Sequence, residues 1–169
     1  MVVKEKTSSV SLAIQVGQFL LNKGWLLATA ESCTGGAVAA AVTEIAGSSH
    51  WFDRGFVTYS NNAKQELLGV EVNTLAIYGA VSEETAREMA IGALRNSQAQ
   101  VSVAITGIAG PGGGTDAKPV GTVCFAWQVS GCEAMAGTQL FNGDRQQIRE
   151  QAVHYILKQL LRVGVLECV

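Results

Sequence analysis

The chain has 169 residues, 48% hydrophobic and 15% charged, with a net charge of −2, which is the composition of one well-buried globular domain spanning residues 1–169. Its twelve basic residues are scattered, which argues against a nucleic-acid partner held by a clustered basic face. Apolar runs break well before the ~20 residues that cross a bilayer, and residues 1–10 carry charge with no hydrophobic region directly behind them. Neither a membrane span nor a signal peptide is therefore expected, and the location expected is cytoplasmic.

In chain order, residues 9–22 repeat apolar side chains with a helical period, and Gly24 stops them. Residues 25–30 are a short strand-type run ending in "ESCTGG" (31–36). Residues 37–45 read as an alanine-rich helix ended by Gly47, and residues 55–60 as a second strand. Lys64 opens a short helix behind "YSNNAK" (59–64). Ser82, followed by Glu83 and Glu84, starts a helix that runs to about Asn96. Residues 101–106 form a third strand, ended by "GIAGPGGGTD". Residues 120–129 and 134–141 form a hairpin about Ser130-Gly131, and residues 145–163 a closing helix. Strands alternating with helices predict a three-layer α/β/α single domain. Right-handed crossovers make its first three strands parallel, in a mostly parallel, mixed sheet. The four cysteines form no C-x-x-C pair and read as reduced thiols.

Ligands of open α/β sheets bind beyond the carboxyl ends of the strands. Those ends collect the polar and glycine-rich stretches 31–36, 59–64, 106–114 and 142–145. Lys64 is notable here, because a cation in the first turn of a helix opposes the helix dipole by roughly 0.3–1 kcal/mol. One explanation is a plain solvated helix residue. The other is a partly desolvated lysine held neutral, able to take a proton from a serine. The two histidines, His50 and His154, read as surface or packing residues, and no G-x-S-x-G elbow exists, so a Ser–His–Asp triad is not expected. No His/carboxylate cluster suggests a metal, and no cofactor is expected.

Two serines compete as nucleophile. Ser32 precedes Thr34-Gly35-Gly36, whose backbone N–H groups suit an oxyanion or a phosphate, although Ser32 also suits a plain helix cap. Ser49 falls at the opposite end of the predicted sheet from Lys64, unless its loop folds back or a second subunit contributes. Cys33 reads as a small buried hydrophobe before a thiolate. Ser32 leads on this geometry.

The stretches "TAESCTGG", "AGSSHWFDRGFVTYSNNAK", "GAVSEETAREMAIGAL", "TGIAGPGGGTDAKPVGTV" and "FNGDR" occur in this order. Together they resemble the CinA carboxy-terminal domain family over about residues 10–162, in the stand-alone form called nicotinamide-nucleotide amidase (NMN deamidase, PncC type). The amino-terminal pyrophosphatase domain of full-length CinA proteins has no counterpart among these stretches. The resemblance implies a serine amidohydrolase with a Ser/Lys dyad that converts nicotinamide mononucleotide and water to nicotinate mononucleotide and ammonia. By motif it implicates Ser32, Ser49, Tyr59, Lys64, Thr106 and Arg145. Lys64 is then the base, Arg145 a phosphate clamp and Gly35, Gly36 and Gly107 substrate-binding positions. Gly35–Gly36, Thr106 and Tyr59 are expected around the oxyanion. The partner expected is a small-molecule nucleotide, and a role for Ser49 invokes a homodimer interface. A different class of function, a non-catalytic nucleotide-binding or interaction module of a competence or DNA-damage response, also fits the wider family.

Overall fold

A computed structural model describes residues 8–163. Helix α1 (Ser9–Lys23) starts where the Ser8 side chain accepts from the Ser11 N–H, and ends where Gly24 turns left-handed. Both are ordinary cap chemistry. The remaining elements are β1 (Leu27–Glu31), α2 (Ala37–Thr43), a 3₁₀ turn (Ser48–His50), β2 (Phe52–Val57), α3 (Asn61–Leu68), α4 (Val72–Tyr78), α5 (Glu83–Arg95), β3 (Val101–Gly107), β4 (Thr122–Val129), β5 (Met135–Leu140) and α6 (Arg145–Val163).

The strand order is β2-β1-β3-β4-β5. β1 runs parallel to both β2 and β3, and β4 is antiparallel to β3 and β5. The expected mixed sheet is thus present, with β5 pointing the same way as β1 to β3. Its two faces bury separate cores. Leu27, Val101, Val103 and Ile105 pack with α1, α2 and α6, while Ala28, Ala30 and Ala104 pack with α5 and the end of α3. The period of two along each strand sorts these side chains to opposite layers. Chain connections leave β1 toward β2 but leave β3 toward β4, so the topological switch lies between β1 and β3. In open α/β sheets that crevice is where ligands sit. Among the described residues no helix is long and apolar enough to cross a membrane.

Several boundaries differ from the sequence expectation. β2 covers 52–57 and not 55–60, because Ser60 is taken as the cap of α3, its side chain accepting from the Ala63 N–H. β1 begins two residues later than expected and includes Glu31. Helix α4 was not anticipated; its residues are all at least partly exposed, so no one-sided apolar period marks it. Cys33 and Cys124 are free thiols, whereas Cys132 is disulfide-bonded, which corrects the expectation of reduced cysteines throughout.

Candidate active site

Two backbone bonds extend the ladders one step past β1: Ser32 N–H donates to the Ile105 carbonyl and Thr58 N–H to the Glu31 carbonyl. Ser32 is therefore held between both neighbouring strands as β1 ends. The register pairs Glu31 with Ile105, so Ser32 and Thr106 come next, side by side on neighbouring strands spaced ~4.8 Å apart. Alternation puts Glu31 on the α2 side of the sheet and Ser32 on the α3/α5 side.

Each carries out work on its own side. Glu31, buried, accepts from three backbone N–H groups at the start of α2: Gly36 (3.1 Å) and Val38 (3.0 Å) on one oxygen, Ala39 (2.9 Å) on the other. A carboxylate at a helix N-terminus is favourably placed against the dipole. Its effect is to fix the 32–36 loop from behind. Arg149 of α6 adds a second hold, donating to the Thr34 carbonyl at 2.9 Å.

Lys64 lies on the other side, in α3, and is only 1% exposed. Its ammonium nitrogen is 3.0 Å from Ser32 Oγ and 2.9 Å from the Thr58 carbonyl, with the Tyr59 carbonyl at 3.5 Å. No carboxylate pairs with it among the described residues. Burial pushes its pKa below the ordinary lysine value. An amine desolvated without a counter-ion favours the neutral form. The position of α3 itself depends on Gly92 in α5: a Cβ there would collide with the Leu68 carbonyl, so the missing side chain lets the end of α3 close onto α5.

The pair opens into a cavity of about 210 Å³ lined by Ser32, Tyr59, Asn61, Lys64, Thr106 and Arg145 among others. Arg145, the first residue of α6, donates to the Gly110 carbonyl (2.8 Å) and to Tyr59 Oη (2.9 Å). It thereby ties the 106–114 loop to the exposed Tyr59 ring at the cavity mouth. Gly107 and Cys33 also line the cavity. Burial pushes the Cys33 thiol up to about 12, so it stays protonated and is no competing nucleophile.

Several expected positions need correction. Gly35 and Gly36 do not line the cavity, and their N–H groups are already given to the Ser32 carbonyl and to Glu31. Of that loop, Cys33 does line the cavity, and among the described residues its amide donates to no backbone carbonyl. Thr106 donates its hydroxyl proton to the Ala80 carbonyl at 2.7 Å, so it has none to offer an oxyanion. Ser49 is exposed in the 3₁₀ turn that precedes β2. It thus sits at the strand end opposite α3, about 20 Å of extended chain away, and the two serines are not brought together within one chain. Asn61, Ala80 and Val81 join the lining without having been anticipated; Asn61 alone carried a signal, standing one turn before Lys64 on the same helix. Among the described residues no group of three or more His, Cys, Asp or Glu is placed to hold a metal.

A serine hydroxyl and a desolvated amine are thus in contact at the switch point of an open α/β sheet, an arrangement chemically able to activate the serine. The chain belongs to the CinA C-terminal domain family, which matches residues 9–163. It is 54% identical over 151 residues to "Nicotinamide-nucleotide amidohydrolase PncC" of Escherichia coli (strain K12), covering 89% of this chain and 92% of that protein. A protein of the same name from Enterobacter agglomerans is 53% identical over the same length and shares. Among solved structures, the competence/damage inducible protein CihA from Agrobacterium tumefaciens superposes with a TM-score of 0.90 at 45% identity, covering 92% of this chain and 95% of that one.

Proposed function

We propose that this protein is an amidohydrolase that converts nicotinamide mononucleotide and water to nicotinate mononucleotide and ammonia, in pyridine-nucleotide recycling. The observation that carries the reading is the 3.0 Å contact between the buried Lys64 Nζ and Ser32 Oγ, together with the names of the relatives. Neutral Lys64 takes the Ser32 proton as Oγ attacks the carboxamide carbon, giving a tetrahedral oxyanion. The amide of Cys33, which lines the cavity next to Ser32, is the donor suited to hold that oxyanion. Collapse breaks the C–N bond, Lys64 returns the proton to the departing nitrogen, and ammonia leaves. Water then attacks the Ser32 ester, giving one proton to Lys64, which passes it on to restore the serine hydroxyl, and the product acid loses the other to solvent as it leaves as the carboxylate.

Arg145 is assigned to the substrate phosphate. Two of its N–H donors are engaged within the protein, leaving three of the five a guanidinium carries. A non-catalytic nucleotide-binding or interaction module has no need of a desolvated amine against a hydroxyl, and that contact favours the enzyme. The test is ammonia release from nicotinamide mononucleotide by the purified protein. Multiple turnovers without added metal support the reading, and binding without release favours the module.

A further inference from the structure

We infer that Thr106 discriminates substrate from product, a role that rests on the amidase reading above. Thr106 is 1% exposed and lines the cavity beside Ser32. A threonine hydroxyl has one proton and two lone pairs. That proton is committed to the part-buried Ala80 carbonyl at 2.7 Å, and turning it toward a ligand would give up that hydrogen bond. What Thr106 presents to the cavity is therefore an acceptor.

The two faces of the reaction differ at this point. A carboxamide brings an NH₂ group, a donor, whereas the product brings a carboxylate, which only accepts. Thr106 Oγ1 accepts from the amide nitrogen, fixing which end of the carboxamide faces the oxyanion donor, and its lone pairs repel the carboxylate oxygen that replaces that nitrogen. Sites built to hydrogen-bond one group reject the analogue that leaves their polar atoms unpaired. Thr106 thus favours entry of the amide and departure of the acid.

The test is calorimetric binding of nicotinamide mononucleotide and nicotinate mononucleotide to the Ser32→Ala protein, with Thr106 intact, Thr106→Ser or Thr106→Val. With Thr106 intact the amide should bind at least about tenfold more tightly than the acid, and Thr106→Ser should keep that preference. Thr106→Val should weaken amide binding about 3–10-fold, the worth of one hydrogen bond, and tighten the acid, so that the preference collapses. Equal affinities in the Thr106-intact protein overturn the proposal even if the valine variant does not fold, and so does a preference untouched by valine. In the Ser32-intact enzyme, a 10²–10³-fold loss of kcat in Thr106→Val with product inhibition unchanged would instead mark an oxyanion donor. These binding arms do not depend on turnover. An amide preference lost in Thr106→Val, in a protein that releases no ammonia, keeps Thr106 as the acceptor that selects amide over acid and removes the amidase reading with the substrate–product role; binding of neither ligand overturns the inference.

Discussion

Lys64 Nζ lies 3.0 Å from Ser32 Oγ although the residues are 32 apart in the chain. Two separate devices make them meet. Ladder bonds on both sides fix Ser32 at the end of β1, and the close approach of Leu68 to Gly92 presses α3 against α5. The lysine side chain then has one polar direction open to it, toward the Thr58 carbonyl and the serine. The dipole opposition that makes a lysine unusual in this turn helps here, because it disfavours the charged form that could not act as a base.

Lys64→Ala should lose activity by at least 10²–10⁴-fold while the protein stays folded, the range for removal of a general base. Lys64→Arg should be equally inactive, since arginine keeps the charge but cannot give up its proton. Steady-state kinetics with circular dichroism as the folding check decides this. An arginine variant with more than about a tenth of wild-type kcat would mean that position 64 supplies charge and not a base.

The lowered pKa of Lys64 also fixes a trend in stability. Between the native pKa and the ordinary value of 10.5 the unfolded chain carries a proton that the native state does not. Stability contributed by this group therefore rises with pH across that window and falls as pH drops through it. Thermal melts of wild type and Lys64→Met as a function of pH should show the variant gaining on wild type as pH falls from about 10.5, levelling off below the native pKa. A difference between the two that does not vary with pH would place a charged lysine in the folded protein.

Arg145→Ala should raise KM for nicotinamide mononucleotide by removing a charge-assisted contact worth roughly 1.5–3 kcal/mol, or about 10–150-fold. The loss should be small for nicotinamide riboside, which lacks the phosphate. Equal losses on the two substrates would assign Arg145 to holding Tyr59 and the 106–114 loop, which it also contacts.

Much of this site was legible from strand ends alone. The polar and glycine-rich stretches mark where strands stop, and right-handed parallel connections bring β1, β2 and β3 to one edge. Strand alternation then puts Ser32 on the α3 side and sends Glu31 to the other. What the sequence did not reveal was how donors are spent. The Gly35 and Gly36 amides looked available because glycine-rich loops often bind anions, but Glu31, one residue before Ser32, reaches back and uses one of them. Thr106 looked like a free donor, but its hydroxyl donates to the Ala80 carbonyl. Such accounting depends on side-chain directions across the fold, and residue type and spacing do not encode it. Helix α4 stayed hidden because exposed helices leave no apolar stripe to read.

Covalent trapping tests the central assignment most directly. Incubating the protein with a carboxamide-mimicking acylating inhibitor, digesting it and mapping the adduct by mass spectrometry should place the label on the peptide containing Ser32. The label should vanish in Ser32→Ala and persist in Ser49→Ala. An adduct on Ser49 that survives Ser32→Ala would contradict the account, because Ser49 lies at the opposite end of β2 from Lys64, and the reacting pair would then have to form between two copies of the chain.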